Sequence, residues 1–114
     1  MALHYNLTKV YAISDNDVDF ARQIVILFIE EVPKEIKNIK HGVKDKDYDR
    51  AYHAAHKIKP TLDLMGMDQA YEDVLIIESW TKTQGKRKEI KEIFEHLKEA
   101  VKNTVKELKK DYSL

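Results

Sequence analysis

The sequence contains no cysteine. That excludes a disulfide framework and thiolate metal sites, and it suits a reducing, cytoplasmic compartment. Only three glycines and two prolines interrupt the 114 residues, too few for the many turns of an all-β domain. No sign of charge is in excess: twenty Lys and Arg balance twenty Asp and Glu, which argues against a general nucleic-acid or membrane-surface binder. Long apolar runs are missing too. The longest, Ile24 to Ile29, stops after six residues, far short of a membrane span. The start, Met-Ala-Leu-His-Tyr-Asn, lacks the basic residues and apolar run of a secretory leader. No repeat, low-complexity tract or linker stands out.

What is present is a foldable balance of 43% hydrophobic and 35% charged residues, which excludes a disordered polyelectrolyte. The length sets a single domain over residues 1–114, able to bury roughly two-thirds of its unfolded surface. Scattered apolar positions in residues 1–13 predict a short docking turn. Ser14 to Asp17 offers capping acceptors and acidic charge, so a first long helix is expected from about Asp15 to Val32. Ile26, Leu27 and Ile29 widen its stripe and predict a middle buried on more than one side. Pro33 suits a first turn best. It predicts a kink and a shorter second piece to about Lys40, closed by His41-Gly42.

Further helices are expected from Asp45–Asp49 to about Met65, from an Asp68 cap to about Thr81, and from about Lys86 to Lys110. Long helices with short connections pack antiparallel. The fold class is therefore all-α, an up-and-down four-helix bundle with a short N-terminal helical segment. On the last helix, Glu95, Glu99, Glu107 and Asp111 run beside Lys98, Lys102, Lys106 and Lys110, which reads as a solvated face with weak pairs three residues apart.

Most enzymatic signatures are missing. There is no Gly-rich phosphate loop, no G-x-S-x-G and no H-E-x-x-H. No His has a Glu three residues before it, so the di-iron bundle pattern fails. His53 and His56, with Asp49 and Asp63 at matching offsets, make a metal site arithmetically possible. An open, poorly ordered set on one exposed helix flank is the weaker reading, and no metal ligand is assigned.

The third helix carries the signal. At roughly 100° per residue, Ala51, Ala55, Ile58, Leu62 and Met65 stay within about 40° of one direction and form a core stripe. His56 lies roughly 140° from it, beside Tyr52 and Asp63, with Lys59 about 60° to one side and Pro60 about 40° to the other. An exposed imidazole beside an ammonium is most often a solvated face. The sharper reading is an imidazole that carries a phosphoryl group whose charge Lys59 offsets.

The stretch Ala54-Ala55-His56-Lys57-Ile58-Lys59-Pro60-Thr61-Leu62-Asp63-Leu64-Met65-Gly66-Met67 resembles the signature of histidine-containing phosphotransfer (HPt) domains. That signature has an Ala-His, an apolar residue, a Lys, usually a small residue, and a Gly ten positions after the His; His56, Ile58, Lys59 and Gly66 match it. Phe28, Glu31 and Pro33 resemble the helix end before the family's second segment, and Lys44-Asp45 its turn into the His helix. In length and helix order the likeness covers about residues 7–108. One position departs: where the family usually has Gly after the Lys, this chain has Pro60. Proline removes the helical bond to the carbonyl of His56 but, like Gly, presents no long side chain to a partner. The departure bears on transfer rate or partner choice more than on phosphorylation itself. Gly66 reads as a helix C-cap, and the resemblance adds close helix approach near the site.

The resemblance implies a stand-alone phosphocarrier in a histidine–aspartate phosphorelay, a passive carrier without a nucleotide site and not an enzyme. His56 is the implied phosphoacceptor and Lys59 the charge that stabilises the phosphate. The implied partners are the receiver domain of a hybrid sensor histidine kinase and a response regulator, with Mg²⁺ on the receiver and no cofactor on this chain. Neither nucleic acid nor membrane is an implied partner, and a cytoplasmic monomer is expected. The receiver is expected to dock on the flank of Tyr52, His53, Lys57, Pro60 and Asp63 around His56. Residues 34–60 hold eight Lys and Arg against four acids, a patch expected to steer the receiver toward the imidazole. Two other readings are a helical interaction module that never carries phosphate and a metal-binding bundle.

Overall fold

The computed structural model describes residues 3–114, which contain no strand. Five helices follow in order: α1 (Thr8–Ile13), α2 (Val18–Asp45), α3 (Tyr48–Leu64), α4 (Asp68–Thr83) and α5 (Arg87–Asp111). Short side chains set two of the starts. The Asp17 carboxylate accepts from the backbone N–H of Phe20 at 3.1 Å and caps α2, while Asp15 and Asn16 take left-handed φ values in the preceding turn. The helix therefore begins at Val18, after the expected Asp15. Asp47 caps α3 through the N–H of Arg50 at 3.2 Å. Asp68 is not a cap. It is the first residue of α4, after Met67, where its charge still meets the positive end of the helix.

Pro33 does not divide the first long helix. α2 runs through it to Asp45, because the core stripe keeps its phase across the proline: Phe28 and Val32 before it and Ile36 and Ile39 after it are all buried. Each such side chain contributes about 1.5–3 kcal/mol, which together outweigh the ~3 kcal/mol cost of an interior proline. Gly42 lies inside this helix and does not close it. A Cβ there would stand 2.7 Å from the backbone nitrogen of Ala51 and 2.8 Å from its Cβ, so this glycine lets α2 and α3 cross closely. Nor is the middle of α2 buried all round: Leu27 is 53% exposed.

α3 continues through Pro60 to Leu64. Ile58, Leu62 and Met65 are buried on one side of it, as its stripe requires. α2 packs against α3 and α5, α3 against α4, and α4 against α5, which closes a four-helix ring. Its interior holds Phe28, Ile39, Leu62, Ile77, Leu97 and Leu108. The long dimension is 43 Å, close to the ~42 Å that a helix as long as α2 spans at 1.5 Å per residue.

The N-terminal segment is tied across the end of the bundle. The N–H groups of Leu3 and His4 both donate to the Glu107 carboxylate at 2.9 Å, and the Tyr5 hydroxyl donates to Asp111 at 2.7 Å. Part of the acidic row on α5 thus anchors the chain start and is not merely solvated. The turn after α3 closes the same end. Gly66 has φ +66°, and its Cα faces Asn6: an added Cβ would lie 2.7 Å from Asn6 Cβ. The close approach that Gly66 permits is to the N-terminal segment and not to a neighbouring helix.

Candidate functional site

His56 stands in the middle of α3 on the face away from the core, and its side chain is 58% exposed. Its Nδ1 lies 2.9 Å from Oε2 of Glu78, on α4. The Lys59 ammonium, one turn further along α3, donates to both oxygens of the same carboxylate at 3.0 and 3.3 Å. Glu78 is itself nearly buried, at 6% exposure. Burial alone would push its carboxyl up, but the hydrogen bonds from His56 and Lys59 hold it below the usual carboxylate range. The same bond to Glu78 raises the Lys59 ammonium above its ordinary value against a smaller opposing effect of burial.

This geometry has a chemical consequence. A neutral imidazole that donates Nδ1–H to a carboxylate keeps its lone pair on Nε2, at the far side of the ring. The ring is also held flat. Tyr52, one turn earlier on α3, stacks on it with centroids 5.6 Å apart and planes 15° from parallel. The Lys82 ammonium from α4 sits 5.7 Å from the Tyr52 ring centroid, which brings a second cation to the α3–α4 crevice.

The remaining residues of the expected flank have diverse attachments. His53 donates through Nδ1–H to the Asp49 carbonyl at 2.7 Å and meets Tyr52 edge-on. Lys57 reaches the other way, to Glu35 of α2 at 3.0 Å. Pro60 is exposed one turn after His56. Asp63 is held by Lys9 of α1 at 2.6 Å. The four residues whose offsets made a metal set arithmetically possible, Asp49, His53, His56 and Asp63, form no ligand cluster among the described residues: His56 turns to Glu78, His53 to a carbonyl and Asp63 to Lys9.

The basic segment also divides. Lys57 and Lys59 flank His56, but Lys37, Lys40 and Lys44 line the α2–α5 side of the bundle. They do not surround the imidazole, because their positions on α2 face α5 and not α3.

Five histidines can be compared. His96 of α5 is the nearest parallel to His56, since its Nδ1 is held by the buried Asp73 of α4. It replaces His53 as the rival, yet no ammonium shares its carboxylate among the described residues, and Glu92 and Glu99 flank it on α5. His56 alone combines exposure, a carboxylate on Nδ1 and a lysine on that same carboxylate.

Glu78 and Lys82 escaped the sequence reading because they lie on another helix. A usable signal existed: α3 and α4 fold back at Gly66–Met67, which sets Glu78 across from His56.

The match with known families comes from a model of the Hpt domain, which covers residues 23–110. That range takes in most of α2, all of α3 and α4 and nearly all of α5, and so contains His56, Lys59 and Glu78. Neither the curated proteins nor the solved structures include a match to the chain. With most of its length matched, the chain belongs to the Hpt domain family, the histidine phosphotransfer domains of phosphorelays.

Proposed function

We propose that this protein is a stand-alone phosphocarrier in which His56 takes a phosphoryl group from the aspartyl phosphate of one receiver domain and gives it to another. The observation that carries the reading is the shared carboxylate of Glu78, which holds Nδ1 of His56 and the Lys59 ammonium at 2.9 and 3.0 Å. In the forward step, Nε2 forms a bond to phosphorus as the bond from the aspartate oxygen to phosphorus breaks, and the aspartate leaves as a carboxylate. The ring gains positive charge. Its Nδ1 proton stays in place, and the adjacent Glu78 carboxylate offsets that charge. Transfer onward is the reverse of these events at a second receiver.

Phosphoryl transfer spreads negative charge over the equatorial oxygens, so positioning and positive charge are what the chain supplies. An ammonium has three N–H donors. Lys59 spends its observed bonds on Glu78 alone and keeps donor capacity for a phosphoryl oxygen. The Mg²⁺ belongs to the receiver's acidic pocket, and this chain contributes neither metal ligands nor a nucleotide site. The docking flank comprises Tyr52, His53, Lys57 and Pro60, with Asp63 toward its α1 end and Lys82 on its α4 edge. The carrier works as a monomer in the cytoplasm, between the receiver of a hybrid sensor histidine kinase and a response regulator. None of its described helices is long and apolar enough to cross a membrane.

The test is incubation with a phosphorylated receiver domain, followed by analysis of the label on this chain. Acid-labile, base-stable label that disappears in His56→Gln is the expected result. Label that persists in that variant, on His96 or elsewhere, refutes the assignment.

A further inference from the structure

The ring of helices leaves a second feature on the side opposite the α3–α4 crevice. Between α2 and α5 runs a groove with Pro33, Ile36, Val101 and Val105 along its floor. Lys37 and Lys40 rim it from α2, and Lys98 and Lys102 from α5. It continues past Lys40 over Val43 and Phe94, where Lys44, Arg87, Lys88 and Lys91 join the rim. Eight cations therefore border the groove against one carboxylate, Glu95, in a chain of zero net charge. Glu95 pairs with Lys98 at 3.0 Å. Among the described residues, none of the other seven cations is in an ion pair.

Helices normally intersperse charges of both signs on a solvated face. Here like charges are collected along two adjacent helices, and their mutual repulsion favours an anionic partner. We propose that this groove is a docking site for an acidic amphipathic helix of a partner protein. The span from Pro33 to Lys44 is about 17 Å at helical rise, or about three turns, and antiparallel α2 and α5 form a straight channel along it. An occupant with one apolar edge would place it on the floor, with carboxylates on both flanks meeting the two lysine rows. The floor is recessed behind the lysines, whereas a membrane surface calls for protruding apolar side chains. The groove's one aromatic, Phe94, is buried, so it offers no stacking platform for nucleic-acid bases. Because α3 and α4 lie across the ring, the groove can be occupied while His56 is engaged.

The experiment titrates the isotope-labelled full chain with a synthetic helical peptide bearing Leu on one edge and Glu on both flanks. Expected are amide shifts confined to residues 34–44 and the facing residues of α5, with the His56 amide unmoved. The double variant Lys37→Glu, Lys102→Glu is expected to weaken binding at least about tenfold, as is raised salt. Unchanged helicity and melting would show the variant folded, and Lys40→Gln with Lys98→Gln provides a milder pair expected to give a smaller loss. A scrambled peptide of the same composition is expected to bind at least about tenfold more weakly. Equal binding of the scrambled peptide, shifts spread over the whole surface, or tighter binding of single-stranded DNA or phosphatidylserine vesicles would overturn the proposal. The readout is binding and does not depend on phosphotransfer, so it stands or falls apart from the role of His56.

Discussion

Substitutions at Glu78 separate two things this carboxylate does for His56: it orients the ring and it supplies charge. Glu78→Gln keeps an oxygen that can accept from Nδ1–H but removes the charge. Glu78→Leu keeps the volume and removes both. A hydrogen bond to a charged group contributes ~1.5–3 kcal/mol when shielded from water. His56 is more than half exposed, so water competes for Nδ1 and about 1 kcal/mol is the appropriate figure. That corresponds to a factor of about five in the ratio of rings held with Nε2 outward to rings turned away. The Leu variant is therefore expected to accept phosphate more slowly from a phosphorylated receiver, by up to about fivefold.

The Gln variant is expected to stay within about twofold of the parent, because orientation survives and the lost carboxylate charge beside the ring is balanced by release of Lys59 toward the phosphoryl oxygens. Single-turnover transfer rates from a phosphorylated receiver measure both, with circular dichroism to confirm that each variant folds. A Gln variant as slow as the Leu variant would refute orientation as the role of Glu78. An unimpaired Leu variant would remove Glu78 from the site altogether.

Lys59→Ala is expected to slow transfer or shorten the phosphohistidine lifetime while the domain stays folded, with a modest fall in melting temperature because the nearly buried Glu78 carboxylate keeps only its bond to His56; parent-like transfer rate and lifetime would reduce Lys59 to a structural partner of Glu78. The acid limb of stability is expected to depend on Glu78, whose carboxyl is held below its ordinary 4.5. A lowered folded value contributes stability that is present above pH 4.5 and lost as pH falls through the folded value, so Glu78→Gln should flatten the stability–pH curve in that window, and an unchanged acid limb would contradict the pairing. Gly66→Ala is expected to cost about 1–2 kcal/mol for the left-handed backbone alone, or a fall of roughly 5–10 °C in Tm, with a further loss from the contact with Asn6. A melting curve that superimposes on the parent would contradict both the left-handed turn at Gly66 and the approach of Asn6 to it.

Most of the architecture was legible because it rests on periodicity. The stripe of α3 was visible from Ala51 to Met65 and crossed Pro60 without losing phase, and the helix does the same. The identical reasoning applies at Pro33, where a break was expected. There too the stripe runs on through buried Ile36 and Ile39, and it outweighs the local preference of the proline. Proline and glycine act locally, and burial of several side chains on either side overrides them. Gly42 shows the same limit from another direction. Its role is set by Ala51 on the neighbouring helix, which no local signal announces.

The candidate site was legible only to the extent that it lies on one helix. His56, Lys59 and Tyr52 fall on one flank of α3 by spacing alone, but their carboxylate comes from α4. Contacts of this kind follow a simple rule in consecutive antiparallel helices. His56 lies eleven residues before Met67 and Glu78 eleven after it. Glu35 and Lys57 are likewise eleven residues either side of Lys46, and Asp73 and His96 are centred on the turn at Gln84–Gly85. Each pair is a reflection through the turn that joins its two helices, because both helices rise by the same amount per residue. Once the turns were placed, a carboxylate facing His56 could have been sought near position 78. Reflection fails for α2 and α5, which are not consecutive. Their juxtaposition depends on closure of the whole ring, and that is why three lysines of the basic segment expected to steer a receiver toward His56 instead face the groove on the other side.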